Sequence, residues 1–279
     1  METAPGGEGD LIGPDRRPIS ISDIRTALSQ AGIVPGDVVL MHVSMRGVGW
    51  VIGGVQGLLM AVLEHLGATG TLVMPGFSSQ LSDPGAWQSP PVPASWVQPI
   101  RAAMPLFDAE LTPTRGIGAV AEALRALPAT RRSAHVRDSF LAHGPASEDM
   151  LGDHPMDGSL GHRSPLGWLY RHGAKVLLLG AGFDSATCFH LAEENLPTIA
   201  PIQESYPVAQ QNGITQWQDF PQPPTFEEHF NSIGAEFTAT GAVKSALNGA
   251  ARVFYMRDGV DFAREWLVQA AEAGQISND

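Results

Sequence analysis

Two short, almost uninterrupted apolar runs constrain the fold of this chain more than any other feature. They are DVVLMHVSM at residues 37–45 and AKVLLLGAG at residues 174–182. A strand that is covered on both faces carries apolar side chains at successive positions, and such strands are typical of parallel or mixed sheets that lie between helices. The two runs therefore predict an α/β protein with buried strands near its centre.

Segments with a helical spacing of apolar residues surround these runs. ISISDIRTALSQAGI at 19–33 predicts a first helix, and VQGLLMAVLEHLG at 55–67 lies between the first run and another predicted strand, GTLVMPGF at 70–77. Parallel pairing of two strands requires a crossover of this kind, so these segments predict a βαβ unit. Further helices are predicted at 117–127, 164–173 and 260–274.

Residues 78–113 differ in composition from the rest of the chain. They are rich in Pro, Ser, Gln and Trp, with DPGAWQSPPVPASW at their centre. This composition predicts a long Pro-rich loop, and long loops in compact domains are often lids or binding loops. Residues 1–18 are predicted to be a flexible tail and residues 19–279 a single domain, because 279 residues suffice for one large α/β domain.

The charge balance narrows the classes of partner. With 29 acidic and 17 basic residues the formal net charge is −12, and no long Lys/Arg cluster is present, so no nucleic acid is expected. An acidic surface suits a cationic ligand, although it would also simply keep a protein soluble. The single cysteine, Cys188, rules out an internal disulfide and fits a reducing compartment. Without a secretory signal or a membrane-length apolar run, a cytoplasmic location is expected.

The segment GAGFDSATCFHLAEENLP at 180–197 places one histidine ahead of two adjacent glutamates. If a helix begins near Thr187, Glu193 and Glu194 lie three and four residues after His190 and share its face. A carboxylate that holds one ring nitrogen leaves the other as a proton acceptor, which suits the deprotonation of an amine or hydroxyl. A plain helix N-terminus with acids that favour its dipole would carry the same residues, so the spacing leaves both interpretations open.

Two further segments carry candidate ligand-binding features. MHVSMRGVGWVIGG at 41–54 lies where the first predicted strand meets the next helix, and its glycines would let the backbone approach a phosphate. It matches neither dinucleotide nor phosphate-loop fingerprints, so a structural turn stays equally open. RRSAHVRDSFLAHGP at 131–145 is a local basic segment that suits either a phosphate site or a solvated loop.

The nine histidines also raise the question of a metal site. Neither an H-E-x-x-H motif nor a cysteine pair is present, and His190 with Glu193 lacks the second His/Glu helix of a di-iron bundle. No metal is expected. Cys188 lies two residues before His190, which on a helix directs it to another face, and it is expected to be a packed thiol.

Taken in chain order, these motifs resemble the antibiotic N-acetyltransferase family, whose best-known members are the aminoglycoside 3-N-acetyltransferases. The resemblance covers residues 19–200 and includes ISISDIRTALSQAGIVPGDVVLMHVSMRGVGWVIGG, ATGTLVMPGFS, FDAELTPTRGIGAVAEALRALPATRRSAHVRDSFLAHGPAS and SPLGWLYRHGAKVLLLGAGFDSATCFHLAE. It implies the family's three-layer α/β/α fold with a central mixed sheet. It also implies acetyl-CoA-dependent acetylation of the 3-amino group of 2-deoxystreptamine aminoglycosides, which confers antibiotic resistance.

The resemblance implies roles for individual residues. The family's T-x-x-H-x-x-E pattern maps onto Thr187, His190 and Glu193, with His190 as general base and Glu193 as the orienting acid, and His42 is a second catalytic candidate. The candidate contacts to acetyl-CoA are Ser44, Met45, Arg46, Gly47, Val48, Gly49, Pro75, Phe77, Ser78 and Ser139. Backbone N–H groups of the turns at residues 44–49 and 75–78 would stabilise the tetrahedral oxyanion that forms during the transfer. The candidate contacts to substrate ammonium groups are Asp108, Glu110 and Glu194.

Three functions are compatible with these observations. The first is a resistance acetyltransferase with direct transfer in a ternary complex, since no placed nucleophile indicates an acetyl-enzyme. The second is the same chemistry on another amine in biosynthesis. The third is a non-catalytic protein that binds CoA or cationic sugars, against which the T-x-x-H-x-x-E pattern argues because binding needs no base. Both a monomer and a homodimer fit the sequence.

Overall fold

A computed structural model describes residues 8–14 and 16–277, and the predicted flexible tail therefore lies outside the described residues at positions 1–7 and 15. The strands are β1 (Val38–Val43), β2 (Thr71–Pro75), β3 (Arg131–Arg132), β4 (Phe140–His143), β5 (Lys175–Leu179), β6 (Ile202–Gln211), β7 (Ile214–Gln222), β8 (Lys244–Ala246) and β9 (Ala251–Tyr255). The helices are α1 (Ile21–Gln30), α2 (Met45–Val48), α3 (Gly54–Leu66), α4 (Ala94–Ala103), α5 (Ala119–Arg125), α6 (Ser147–Leu151), α7 (Pro165–Arg171), α8 (Phe230–Ala239) and α9 (Met256–Glu272). None of these helices combines the length and the apolar composition that a membrane crossing needs.

Seven strands form one mixed sheet in the order β3-β4-β2-β1-β5-β9-β8. β1 pairs in parallel with β2 and with β5, whereas the other pairs in this sheet are antiparallel. The predicted βαβ unit is β1–α3–β2, and the predicted mixed sheet is confirmed. The chain leaves β1 towards β2 on one side while β5 lies on the other, so the carboxyl ends of β1 and β5 form the kind of switch point at which open α/β sheets bind ligands.

Both faces of the sheet are buried under helices. Leu40 and Val176 belong to one apolar core with residues of α7, α8 and α9, whereas Val39 and Leu177 belong to a second core with residues of α1, α3 and α5. Successive side chains of a strand point to opposite faces, so a strand between two cores needs apolar residues at every position. This explains why the two apolar runs lack a polar face.

The segment 78–113 is not the uninterrupted loop that its prolines predicted. It contains α4, which begins directly after Pro93 and includes Pro99. A proline before the first helical residue removes no hydrogen bond from the helix, and one internal proline removes a single backbone hydrogen bond. Tertiary contacts hold the helix, because the indole nitrogen of Trp217 in β7 donates to the carbonyl of Arg101 at 2.9 Å.

β6 and β7 form a separate antiparallel hairpin. The turn between them is Asn212–Gly213, and both residues have positive φ, of 53° and 76°. Asn-Gly is the preferred dipeptide of a two-residue hairpin turn because both residues tolerate the left-handed region. This dipeptide is the sequence signal for the hairpin, which the patterns of apolar residues did not predict.

Candidate active site

A cavity of about 610 Å³ opens at the carboxyl ends of β1 and β5. Parallel neighbours end at the same edge of a sheet, so the residues that follow the two strands meet there. The cavity is lined by residues 41–46, Met74, Pro75, Phe77, residues 116–120, Asp184, Ser185, Thr187, His190 and Glu227. The two predicted catalytic histidines and Thr187 are therefore brought together at one site.

A 3-10 helix, Thr187–Ala192, carries His190 into this cavity. The Nδ1 atom of His190 lies 2.7 Å from Oε2 of Glu193, and Oε1 of Glu193 accepts a 2.6 Å hydrogen bond from the backbone N–H of Phe226. The two side chains are 7% and 1% exposed. A carboxylate held from both sides fixes the imidazole ring through Nδ1, so any proton exchange with a bound molecule must use Nε2.

Glu194 points away from this pair. Its Oε2 atom accepts hydrogen bonds from the backbone N–H of His162 at 2.7 Å and lies 2.9 Å from the Nδ1 atom of the same residue. The expectation that Glu194 shares a face with His190 is wrong, because a 3-10 helix has three residues per turn. Residue i+3 then lies directly above residue i, and residue i+4 is rotated away.

The other two predicted substrate carboxylates also lie outside the cavity. Asp108 accepts hydrogen bonds of 2.8 Å from the backbone N–H groups of Glu110 and Leu111 and so closes its own turn. Neither Asp108 nor Glu110 lines the cavity. The structure thus does not bring these carboxylates together with His190.

Glu227 is a cavity residue that the sequence did not reveal. It lies on the short 3-10 helix Glu227–His229, and its Oε1 atom is 3.2 Å from Nε2 of His190. Its side chain is 62% exposed, and the hydrogen bond to His190 lowers the pKa of its carboxyl group. The motif TFEEHF at 225–230 contains this glutamate, but no spacing rule connects it to a histidine so distant in the chain.

The two cavity histidines are held in opposite protonation states. Burial acts to lower the pKa of His190, but the charges of Glu193 and Glu227 outweigh it and raise the pKa to about 10. Burial, together with the nearby charge of His190, lowers the pKa of His42 to about 3. The Nε2 atom of His42 has no hydrogen-bond partner among the described residues. At neutral pH the cavity therefore contains one imidazolium and one neutral imidazole.

The turn after β1 is built by a close approach of two backbones. Ser44 caps α2, and its Oγ atom accepts a 3.3 Å hydrogen bond from the N–H of Gly47. A Cβ atom on Gly47 would lie 1.9 Å from the carbonyl oxygen of Gly180 at the end of β5. Only glycine therefore allows this turn to sit against β5. Of the predicted acetyl-CoA contacts, Ser44, Met45 and Arg46 line the cavity, whereas Gly47, Val48 and Gly49 shape the turn behind them.

The second predicted acetyl-CoA turn is divided in the same way. Pro75 and Phe77 line the cavity, whereas Ser78 and Ser139 are fully buried. The Ser78 hydroxyl donates to the carbonyl of Val136 at 2.6 Å, and the Ser139 hydroxyl donates to that of Gly76 at 2.7 Å. The backbone N–H groups of residues 76 and 78 are also hydrogen-bonded, to the carbonyls of residues 139 and 137. These groups join the ends of β2 and β4, so two of the predicted oxyanion donors of this turn, the N–H groups of residues 76 and 78, are already engaged.

The basic segment at 131–145 is engaged inside the protein. The Arg132 guanidinium donates to the Ser139 hydroxyl at 2.9 Å and to two backbone carbonyls. Arg137 forms ion pairs with Asp138, at 2.9 Å, and with Glu204 in β6. The structure therefore favours a structural role for this segment, which ties β6 to the body of the protein.

The remaining reactive side chain near the site is inert. Cys188 is buried, and burial raises the pKa of its thiol. A thiol with a raised pKa is a poor nucleophile at neutral pH. Within residues 8–14 and 16–277, no group of three or more His, Cys, Asp or Glu side chains is placed to hold a metal ion.

Comparison with known proteins identifies the family. A family model described as aminoglycoside 3-N-acetyltransferase matches residues 40–268. This chain belongs to that family. A relative from Bacillus subtilis (strain 168), the SPbeta prophage-derived aminoglycoside N(3')-acetyltransferase-like protein YokD, is 39% identical over 254 residues, which cover 90% of this chain and 93% of YokD. Aminoglycoside N(3)-acetyltransferase IX of Micromonospora chalcea is 30% identical over 286 residues, which cover 93% and 97% of the two chains.

Solved structures of similar proteins agree with this assignment. The crystal structure of YokD matches with a TM-score of 0.89 and 37% identity, and covers 95% of this chain and 98% of YokD. A binary complex of AAC-IIIb with CoASH matches with a TM-score of 0.77 and 26% identity over 94% of this chain and 99% of that one. AAC-VIa bound to sisomicin matches with a TM-score of 0.74 and 29% identity over 90% and 98%.

The family and the α/β fold that the motifs implied are thereby confirmed. The aminoglycoside 3-N-acetyltransferases are acyltransferases whose co-substrate is acetyl-CoA. The roles of the individual side chains stay predictions.

Proposed function

We propose that this aminoglycoside 3-N-acetyltransferase family member transfers the acetyl group of acetyl-CoA to the 3-amino group of a 2-deoxystreptamine aminoglycoside and so confers resistance. The observation that carries the proposal is the buried His190–Glu193 pair, whose Nδ1 to Oε2 distance is 2.7 Å and whose ring lines the cavity. The similar proteins bound to CoASH and to sisomicin support the two ligand classes.

The His190–Glu193 pair is suited to remove the proton that the substrate amine must lose. The amine nitrogen attacks the thioester carbonyl carbon, the C–N bond forms, the C–S bond breaks, and the thiolate of CoA leaves. The nitrogen must lose a proton in this step, and Nε2 of His190 would accept it while Glu193 stabilises the resulting imidazolium. We assign His42, which stays neutral, to hydrogen bonding of the thioester, and Thr187 to the wall between the two histidines.

The charged groups of the cavity suggest where each ligand lies. Asp184 and Glu227 line the cavity and would meet substrate ammonium groups in place of Asp108, Glu110 and Glu194. Arg46 also lines it, and its side chain is 68% exposed, which suits contact with the phosphates of CoA. A single buried cysteine and the use of acetyl-CoA support a cytoplasmic location. A homodimer stays a prediction.

The test is thiol release from acetyl-CoA with gentamicin, kanamycin, apramycin and spermidine as separate acceptors. We expect turnover with at least one antibiotic, a product acetylated at the 3-amino group by NMR, and loss of turnover in His190→Ala. His172→Ala, which changes an exposed histidine on the surface after α7, is the matched control and should retain activity. Turnover with spermidine alone would indicate another amine as substrate. A burst of free CoA without acceptor would contradict direct transfer.

A further inference from the structure

Arg264 connects the C-terminal helix to the segment that carries His190 and Glu193. It lies in α9, and its Nη1 atom donates to the carbonyl of Ala192 at 2.9 Å and also to the carbonyl of Glu194. Its Nη2 atom donates to the carbonyl of Asn195 at 2.8 Å. One guanidinium group thus binds the backbone directly before and directly after Glu193.

The chain needs such a partner at this point. The 3-10 helix ends at Ala192 with Glu193 as its C-cap, and Asn195 has a positive φ of 57°, so the backbone turns directly after the helix. The carbonyl groups at a helix end have no partner within the helix. Here the carbonyl groups of Ala192, Glu194 and Asn195 all accept hydrogen bonds from the Arg264 guanidinium. The planar guanidinium donates to several acceptors at once, whereas a lysine ammonium has all its donors on one nitrogen.

We propose that Arg264 is a positioning residue, which holds residues 192–195 so that the Glu193 carboxylate meets the His190 ring. This inference rests on the proposed function of His190 as the base. Arg264 does not line the cavity that contains His190; it borders a separate cavity of about 410 Å³ with His162, Tyr170, Glu194 and Asp261. It therefore acts through the backbone and not by contact with substrate.

The direction in which the pKa of His190 changes when Arg264 is removed separates a positioning role from a purely electrostatic one. A positive charge near an imidazole lowers its pKa, so removal of the Arg264 charge would by itself raise the pKa of His190. If Arg264 positions Glu193, its removal withdraws the carboxylate from the ring, and the pKa of His190 falls instead. The two causes thus predict opposite directions.

The experiment compares Arg264→Met and Arg264→Lys with the control Arg257→Met. Arg257 lies on the same helix and also approaches backbone carbonyls, those of Tyr170 and Arg171 at 3.5 and 3.4 Å, away from the His190–Glu193 pair. NMR titration of isotope-labelled histidine, assigned with His190→Ala, gives the pKa of His190 without any substrate. Rates with the best acceptor and the Kd of CoA are measured in parallel.

We expect the His190 pKa to fall by about 1 in Arg264→Met. We expect kcat to fall by about 100-fold with an unchanged Kd for CoA, because a misplaced base slows transfer without weakening cofactor binding. Arg264→Lys should recover part of both losses, and Arg257→Met should match the wild type. If Arg264→Met does not fold, Arg264→Lys alone still decides, since positioning requires a lower pKa.

An unchanged or raised His190 pKa with normal kcat in the folded Arg264 variants would overturn the proposal. Failure of the proposed function gives a different result. In that case the wild type turns over no antibiotic, while the pKa of His190 still falls in Arg264→Met because the pair is still disrupted.

Discussion

The Nε2 atom of His190 lies 3.2 Å from Oε1 of Glu227, so the nitrogen that must take a proton from the substrate amine is covered by a carboxylate in the free protein. The other ring nitrogen lies 2.7 Å from Glu193. With a carboxylate at each nitrogen, the imidazolium is strongly favoured over the neutral ring. Before the amine can be deprotonated, His190 must lose this proton and the Glu227 carboxylate must move away from Nε2.

The pH dependence of the reaction follows from this arrangement. We expect kcat/KM to rise with pH and to level only as the pH approaches the raised pKa of His190, about 10, because the imidazolium cannot act as a base. Glu227→Gln should move the rise to lower pH, since one stabilising charge is lost. Initial rates between about pH 6 and 10 measure this. The neighbouring Glu228→Gln is the matched control, and equal profiles for the two variants would contradict the role of Glu227.

Glu193→Gln should lower kcat by about 1,000-fold or more and leave the Kd of acetyl-CoA unchanged. The glutamine oxygen can still accept the N–H of Phe226, so its amide nitrogen must face Nδ1 of His190. That nitrogen donates, which forces the ring proton onto Nε2 and removes the proton acceptor. Single-turnover rates and CoA titrations check this. Equal losses of rate and of CoA affinity would show instead that Glu193 is needed for folding of the site.

The stability of the protein should fall in acid because of its buried neutral histidines. Burial lowers the pKa values of His42 and His154 to about 3, whereas the unfolded chain binds these protons near 6.5. As the pH falls through 6.5 unfolding therefore takes up protons, and well below 6.5 each group lowers the free energy of unfolding by about 1.4 kcal/mol per pH unit. His190 acts in the opposite sense: its pKa is raised, so its contribution is complete below pH 6.5 and is lost as the pH rises towards about 10.

Urea unfolding between about pH 7 and 5 tests this. His42→Asn should reduce the mean slope over this range by about 1 kcal/mol per pH unit, because one of the groups that take up protons is gone. The exposed His172→Ala serves as control and should keep the wild-type slope. If His42→Asn keeps that slope as well, His42 is not a buried neutral group.

Gly47→Ala should destabilise the protein by about 1–3 kcal/mol and impair acetyl-CoA binding. The new methyl group would meet the carbonyl of Gly180 at 1.9 Å, so the turn after β1 and the end of β5 must separate. Denaturant titration and CoA binding measure the two effects. Gly13→Ala, which places a methyl group in open space, should change neither. A Gly47→Ala protein with wild-type stability would show that the two turns do not touch in solution.

The elements that follow from local pattern were predictable. Strong patterns of apolar residues mark the strands β1, β2 and β5 and the helices α3, α5, α7 and α9. The two continuous apolar runs, which form β1 and β5, are typical of strands that are buried on both faces. The hairpin was predictable in principle from Asn212–Gly213. Helix α4 was not, since its prolines favour a loop and its stability comes from contact with β7.

For the site, the sequence by itself placed His190 and Glu193 on one face of a helix predicted to begin near Thr187, because residues three apart meet on a helical turn. It also placed His42 and Ser44 at the end of the first predicted strand, and the family resemblance made His42 a second catalytic candidate. Only the tertiary structure decided which carboxylate completes the site. Glu194 is turned away by the 3-10 geometry, and Glu227 is brought in by a separate segment of the chain. Contacts between segments distant in the chain depend on how the helices and loops pack against the sheet. No residue spacing in the sequence therefore reveals that Glu227 lies beside His190.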